Sequence, residues 1–128
     1  MTHMRPPMDW RGHHVSTLDI LLFMRDELRS GTMPEMFIGA LDIYRLSAFV
    51  QGSELTLYYN RVPNESYQEF LAWLRDVKQE FPQGGGWARK CLEDCGGDHL
   101  RAIQKFLDLV AEFMSQHKEP TETPPGGG

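Results

Sequence analysis

Apolar side chains recur along this chain at spacings of three and four, the period that puts them on one face of an α-helix. Leu18, Leu21, Leu22 and Leu28 form the first such stripe. Ser16-Thr17 opens it, Asp19 stands three positions after Ser16 as in a capping box, and Gly31 closes it. Pro34 and Gly39 forbid a continuous helix through residues 32–40, which read as a loop. Asp42 then caps a second helix with Ile43, Leu46, Phe49 and Val50 facing inward, weakened at its end by Gly52. Leu55-Thr56-Leu57-Tyr58-Tyr59 either continues that helix or forms a short extended segment, and Arg61-Val62-Pro63 ends it in both cases.

Asn64 caps a third helix, in which Tyr67, Phe70, Leu71, Leu74, Val77 and Phe81 share one apolar face. Pro82 and Gly84-Gly85-Gly86 terminate it. A short fourth helix runs from Trp87 to about Cys95 and is closed by Gly96. Asp98 caps a long fifth helix to about Gln116, with Leu100, Ile103, Phe106, Leu107, Val110, Phe113 and Met114 facing inward. Its opposite face carries Arg101, Gln104, Lys105, Asp108 and Glu112. The pattern predicts an all-α domain over residues 16–117, a compact bundle of four to five amphipathic helices. Residues 1–15 are polar and irregular and are expected to form a flexible N-terminal arm, in which His3, His13 and His14 could bind a metal ion but are expected to be solvated. Residues 118–128, with three prolines and three closing glycines, are expected to be a disordered tail.

Composition narrows the function classes. The chain has 128 residues, 41% of them hydrophobic and 24% charged, ordinary usage for one domain with its own core. Its longest uninterrupted apolar run, Ile20 to Met24, falls far short of the roughly 20 residues that span a bilayer. Met1 to Trp10 lacks the apolar region of a secretory signal, so the expected location is the cytoplasm. Thirteen Lys and Arg stand against 18 Asp and Glu, a net charge of −5. With no basic cluster in the chain, this balance argues against nucleic acid as a partner and suits a basic protein instead.

Motifs for catalysis are sparse. Gly84-Gly85-Gly86 lacks the Lys-Ser/Thr of a phosphate loop, and neither a His-Glu-x-x-His helix nor a Gly-x-Ser-x-Gly elbow occurs. Asp26-Glu27 and Glu93-Asp94 are neighbours on helices, pointing about 100° apart, and read as solvated charge. Cys91, Cys95 and His99 form a Cys-x3-Cys-x3-His array that could supply part of a zinc site, although Gly96-Gly97 breaks the helical face before His99. The alternative reads both cysteines as small apolar residues of the core. No catalytic residues, cofactor or metal are assigned, and an enzyme is not expected.

The third helix carries a more telling pattern. At 100° per residue, Glu65, Glu69, Asp76 and Glu80 fall within a sector of about 60° opposite the apolar face, with Trp73 at its edge. This is either a solvated helix face or a recognition strip whose carboxylates meet a basic partner beside an aromatic anchor. These five residues are the candidate contact residues.

Met36-Phe37-Ile38-Gly39, the following Asp42-Ile43-Tyr44-Arg45-Leu46-Ser47-Ala48-Phe49-Val50-Gln51-Gly52, and the later Trp87, Leu92, Gly96-Gly97-Asp98, Ala102-Ile103, Phe106, Leu109 and Phe113 resemble a group of small bacterial immunity proteins of polymorphic toxin systems. The resemblance spans roughly residues 33–113. It implies a protein that binds and silences a cognate toxin by direct contact, and it carries over no catalytic residues. A helical adaptor unconnected with toxins, and a small thiol or metal enzyme centred on Cys91, Cys95 and His99, are the alternatives.

Overall fold

In a computed structural model, residues 15–61, 65–78 and 86–116 are described. Six helices order these residues: α1 (Thr17–Arg29), α2 (Glu35–Ile38), α3 (Ile43–Tyr59), α4 (Ser66–Trp73), α5 (Gly86–Asp94) and α6 (His99–Gln116). No strand occurs among them, so the domain is all-α as its periodicity predicts. The expected arm, apart from Val15, and the expected tail lie outside the described residues. No helix among them is long and apolar enough to cross a membrane.

The helix starts follow from side chains adjacent in sequence. At α1 the Asp19 N–H donates to Ser16 Oγ at 3.1 Å while Asp19 Oδ2 accepts from the Ser16 N–H at 3.0 Å, a reciprocal capping box. Asp42 Oδ1 accepts from the Tyr44 N–H at the start of α3, and Asp98 Oδ1 from the Arg101 N–H at the start of α6. The loop expected between the first two long helices contains one helical turn, α2. Pro34 leads into it with a helical φ of −54°, and Gly39, at φ 84°, closes it. A side chain at Gly39 would be strained there and would crowd Arg45 Nη1 at 3.1 Å.

On helix length, one open alternative is decided and one expectation is revised. Residues 55–59 are helical, and α3 continues through Gly52 for 17 residues. Glycine inside a helix costs about 1 kcal/mol, which the packing of Val50 and the bonds made by Ser53 and Glu54 offset. The third predicted helix leaves α geometry after Trp73 and passes through a π-helical turn, Leu74–Lys78. Hydrogen bonding from i to i+5 takes more residues per turn, so each residue rotates less than the periodicity assumes. Val77, placed on the inward face by sequence, is therefore 64% exposed. Phe81 and the predicted cap Asn64 fall outside the described residues, and Glu65 holds the N-cap position with no side-chain bond.

α6 is the centre of the bundle, packing against α1, α3, α4 and α5. Ala102, Ile103, Phe106, Leu107, Leu109, Val110 and Phe113 are all buried. Phe106 lies flat on Trp87 of α5, ring centroids 3.5 Å apart and planes 10° from parallel. Phe70 of α4 meets Phe106 edge-on at 5.7 Å and Phe113 at 5.5 Å. Trp87 Nε1 donates to the Tyr67 hydroxyl at 2.9 Å, so the indole is satisfied inside the core. Ion pairs fasten the periphery: Arg25 to Asp108 at 2.8 Å, Lys78 to Glu112 at 3.1 Å, and Asp94 to Lys90 at 2.7 Å and Lys105 at 3.5 Å.

Replacing Phe106 with alanine removes the ring that α4 and α5 share. It should cost about 3–5 kcal/mol in urea unfolding, much of the stability of a domain this size. Asp94 gives a pH signature. Hydrogen bonding from Lys90, with further help from Lys105, holds its carboxyl below the ordinary range. Its contribution is therefore fully present above the unfolded value of about 3.9 and is lost as pH falls through the lower folded value. Asp94→Asn should destabilise by about 0.5 kcal/mol at pH 7, in the range of exposed pairs, with the penalty shrinking in acid melts as pH falls below the unfolded value and through the lower folded one.

Candidate functional site

The sequence places five contact candidates on one strip, and the structure separates them. Glu65, at the N-cap of α4, and Glu69, within it, are exposed. Trp73 is 4% exposed, stacked against Phe70 at 6.0 Å and tilted against Phe113 at 5.5 Å. Its indole N–H donates to Gln116 Oε1 at 3.2 Å, and the Lys78 ammonium lies 5.8 Å from the ring centroid. The ring that sequence places at the edge of the acidic sector is thus spent on the core and covered by a cation. Asp76 belongs to the π turn, rotated out of the phase that aligned it with Glu69. The hydrogen bond from Arg75, at 2.9 Å, holds its carboxyl below the usual range. Glu80 lies outside the described residues.

The Cys91, Cys95 and His99 array is not gathered at one point. Cys91 sits in the core of α5, Cys95 follows the end of that helix, and no disulfide joins them. His99 Nδ1 accepts the Ile43 N–H at 3.1 Å, capping α3 from the first residue of α6. Among the described residues no three His, Cys, Asp or Glu side chains are grouped to hold a metal ion.

The structure brings forward instead a surface that sequence reasoning left unassigned. On α3, Ile43, Leu46 and Val50 are buried. On the other side of the helix, Tyr44, Ala48, Gln51, Leu55, Tyr58 and Tyr59 are all exposed. At 100° per residue these six occupy a sector of about 100°, and no charged side chain interrupts it. Glu54 and Arg45 flank the sector, each about 40° beyond an edge. Tyr44 is 49% exposed, Leu55 56%, Tyr58 74% and Tyr59 73%. The two last rings meet edge to face at 5.3 Å. The signal in the sequence was the i, i+3, i+4 spacing of Leu55, Tyr58 and Tyr59, a second apolar stripe nearly opposite the first.

One flank of this face descends into a groove of about 450 Å³ toward α4, lined by Gln51, Glu54, Leu55, Leu57, Tyr58, Tyr67 and Gln68. Glu54 Oε2 accepts the Thr17 hydroxyl, and Thr17 Oγ1 also lies 2.7 Å from Ser53 Oγ. Thr17 is itself fully buried, so this polar knot joins the start of α1 to the middle of α3. Burial pushes the Tyr67 phenol above its ordinary value. The bond from Trp87 opposes this shift and the Glu54 charge adds to it, so Tyr67 stays neutral at physiological pH.

Compared with family models, curated proteins and solved structures, the chain finds no match in any of the three.

The exposed face should be dispensable for folding. Leu55→Ser and Tyr58→Ser are expected to shift urea-unfolding free energy by no more than about 0.5 kcal/mol, against about 2–5 kcal/mol for Leu46→Ala on the opposite side of the same helix.

Proposed function

We propose that this protein is a non-catalytic binding module that engages a partner protein through the outward face of α3. One observation carries the reading: a long surface helix presents three tyrosines and a leucine in a sector free of charge. Solvated faces are ordinarily interspersed with charge, and a contiguous exposed apolar patch marks an interaction surface. Tyrosine is enriched where binding energy concentrates, because a large rigid ring buries much area for little lost freedom. A net charge of −5 favours a basic protein over an anionic lipid surface. Glu65 at the N-cap of the neighbouring α4 and Glu69 within it supply an acidic margin that steers such a partner.

The specific form we propose is neutralisation of a cognate toxin in the cytoplasm, as the resemblance to small helical immunity proteins suggests. Contact rather than chemistry is the mechanism: the α3 face covers the partner and the acidic margin speeds encounter. Co-expression with the protein encoded beside this gene tests it. Growth rescued together with a stable complex is the expected result. Rescue without a complex would point to an enzyme that reverses damage. No rescue from an active toxin would favour the adaptor reading.

Variants separate the two parts of the surface. The Leu55→Ser/Tyr58→Ser double change should weaken the complex about a hundredfold or more, the scale of a lost hot spot. Glu65→Lys/Glu69→Lys should act chiefly through a slower, more salt-sensitive association rate, measured by stopped flow.

A further inference from the structure

The outward stripe of α3 repeats with the period of a helix seam. Tyr44, Ala48, Gln51, Leu55 and Tyr58 follow one another at intervals of four, three, four and three residues, and all five are exposed. Alternating steps of four and three are the spacing by which two helices pack side by side along one line. The core contacts of α3 lie on its other side, at Ile43, Leu46 and Val50, so the stripe is a seam that no described helix covers. Charge and size bear on what fits it. The chain carries a net charge of −5, which holds copies apart in general, but two copies meeting at this strip oppose no like charges. Ala48 is the small member of the strip, and tyrosines stand toward both ends. Run antiparallel, two strips set large side chains against Ala48, whereas parallel strips set Ala48 on Ala48 and leave a void. Gln51, the middle of the five, then lies near the two-fold axis. Its amide holds both donors and an acceptor, so two copies satisfy each other, and a single polar residue in such a seam fixes its register.

We propose that two copies of this chain associate through the α3 strip, antiparallel, with their Gln51 amides facing each other across the two-fold axis. The proposal rests on the reading of the α3 face as a protein-binding surface and names the occupant that the face takes in the free protein, one that any other partner must displace. Part of the strip is ordered before the copies meet: the Tyr44 ring stands edge-on to His99 with centroids 6.4 Å apart, and the Tyr58 and Tyr59 rings hold each other at 5.3 Å. Rings held in place lose less freedom on binding. A single helix face of this kind buries on the order of 500 Å² per copy, below the roughly 800 Å² of a standard stable interface. The dimer is therefore weak and reversible, as a surface that must also open to another partner requires.

Sedimentation equilibrium of the full chain, over a wide range of concentration, is the test. The expected result is a reversible dimer with a dissociation constant on the order of 10–100 μM, the weak end for an interface of this size. Leu55→Ser should weaken it about tenfold or more, while Val77→Ser, which removes an apolar side chain equally exposed but away from α3, should leave it unchanged. Gln51→Glu and Gln51→Lys should each weaken self-association about tenfold or more by opposing like charges at the axis. Mixing these two variants in equal amounts should restore a dimer at least as tight as the original, because opposite charges then meet. Thermal melts establish that each variant is folded. A chain that stays monomeric throughout, a dimer indifferent to Leu55→Ser, or a mixture of the two Gln51 variants that fails to associate would overturn the proposal and leave the protein-binding face to be decided by co-expression. A dimer that behaves as expected, together with no rescue and no complex in co-expression, would instead overturn the toxin reading and leave this one standing.

Discussion

The flat stack of Trp87 on Phe106 is the contact around which the bundle is arranged. It joins α5 to α6 face to face. The indole N–H of the same tryptophan reaches Tyr67 and so fixes α4, whose Phe70 meets Phe106 edge to face. Three helices are thereby oriented by three packed rings and one hydrogen bond. A buried tryptophan tolerates few positions, because its ring demands area and its N–H demands a partner. With α4 fixed against α6, the groove wall formed by Tyr67 and Gln68 is fixed as well.

Much of this architecture can be read from the sequence because it rests on local rules. The caps at Ser16, Asp42 and Asp98 satisfy backbone donors a few residues away, and the amphipathic pattern of α6 finds a core on one side. The periodic argument failed where it assumed a uniform rotation per residue. Across Leu74–Lys78 the π turn re-phases the chain, exposing Val77 and parting Asp76 from Glu69. Trp73 misled for a different reason. Its place at a sector edge says nothing of Phe113 and Gln116, which close over it from α6, or of Lys78, which the adjoining π turn carries over the ring.

The α3 face was legible in spacing but not in meaning. An i, i+3, i+4 set of apolar residues reads as a core-facing stripe by default, and only the fold reveals that the core lies on the other side. The uncharged face of α3 and the groove beside it then make one physical unit. Glu54 is held by Thr17, a fully buried residue of α1, so the polarity of the groove is set from within the bundle.

His99 and Asp42 pin the first turn of α3, and its buried residues end at Val50. The nine residues from Gln51 to Tyr59 extend about 13 Å beyond that last anchor, steadied by the hydroxyl and carboxylate bonds to Thr17. Mechanically this is a cantilever, clamped at its base and propped near the middle. Deflection grows along such a beam, so Tyr58 and Tyr59, at its tip, sweep farther than Tyr44 at its root. Under the proposed reading, a partner on this face would take its register from the clamped end, with the bonds to Thr17 as the prop between that end and the tip.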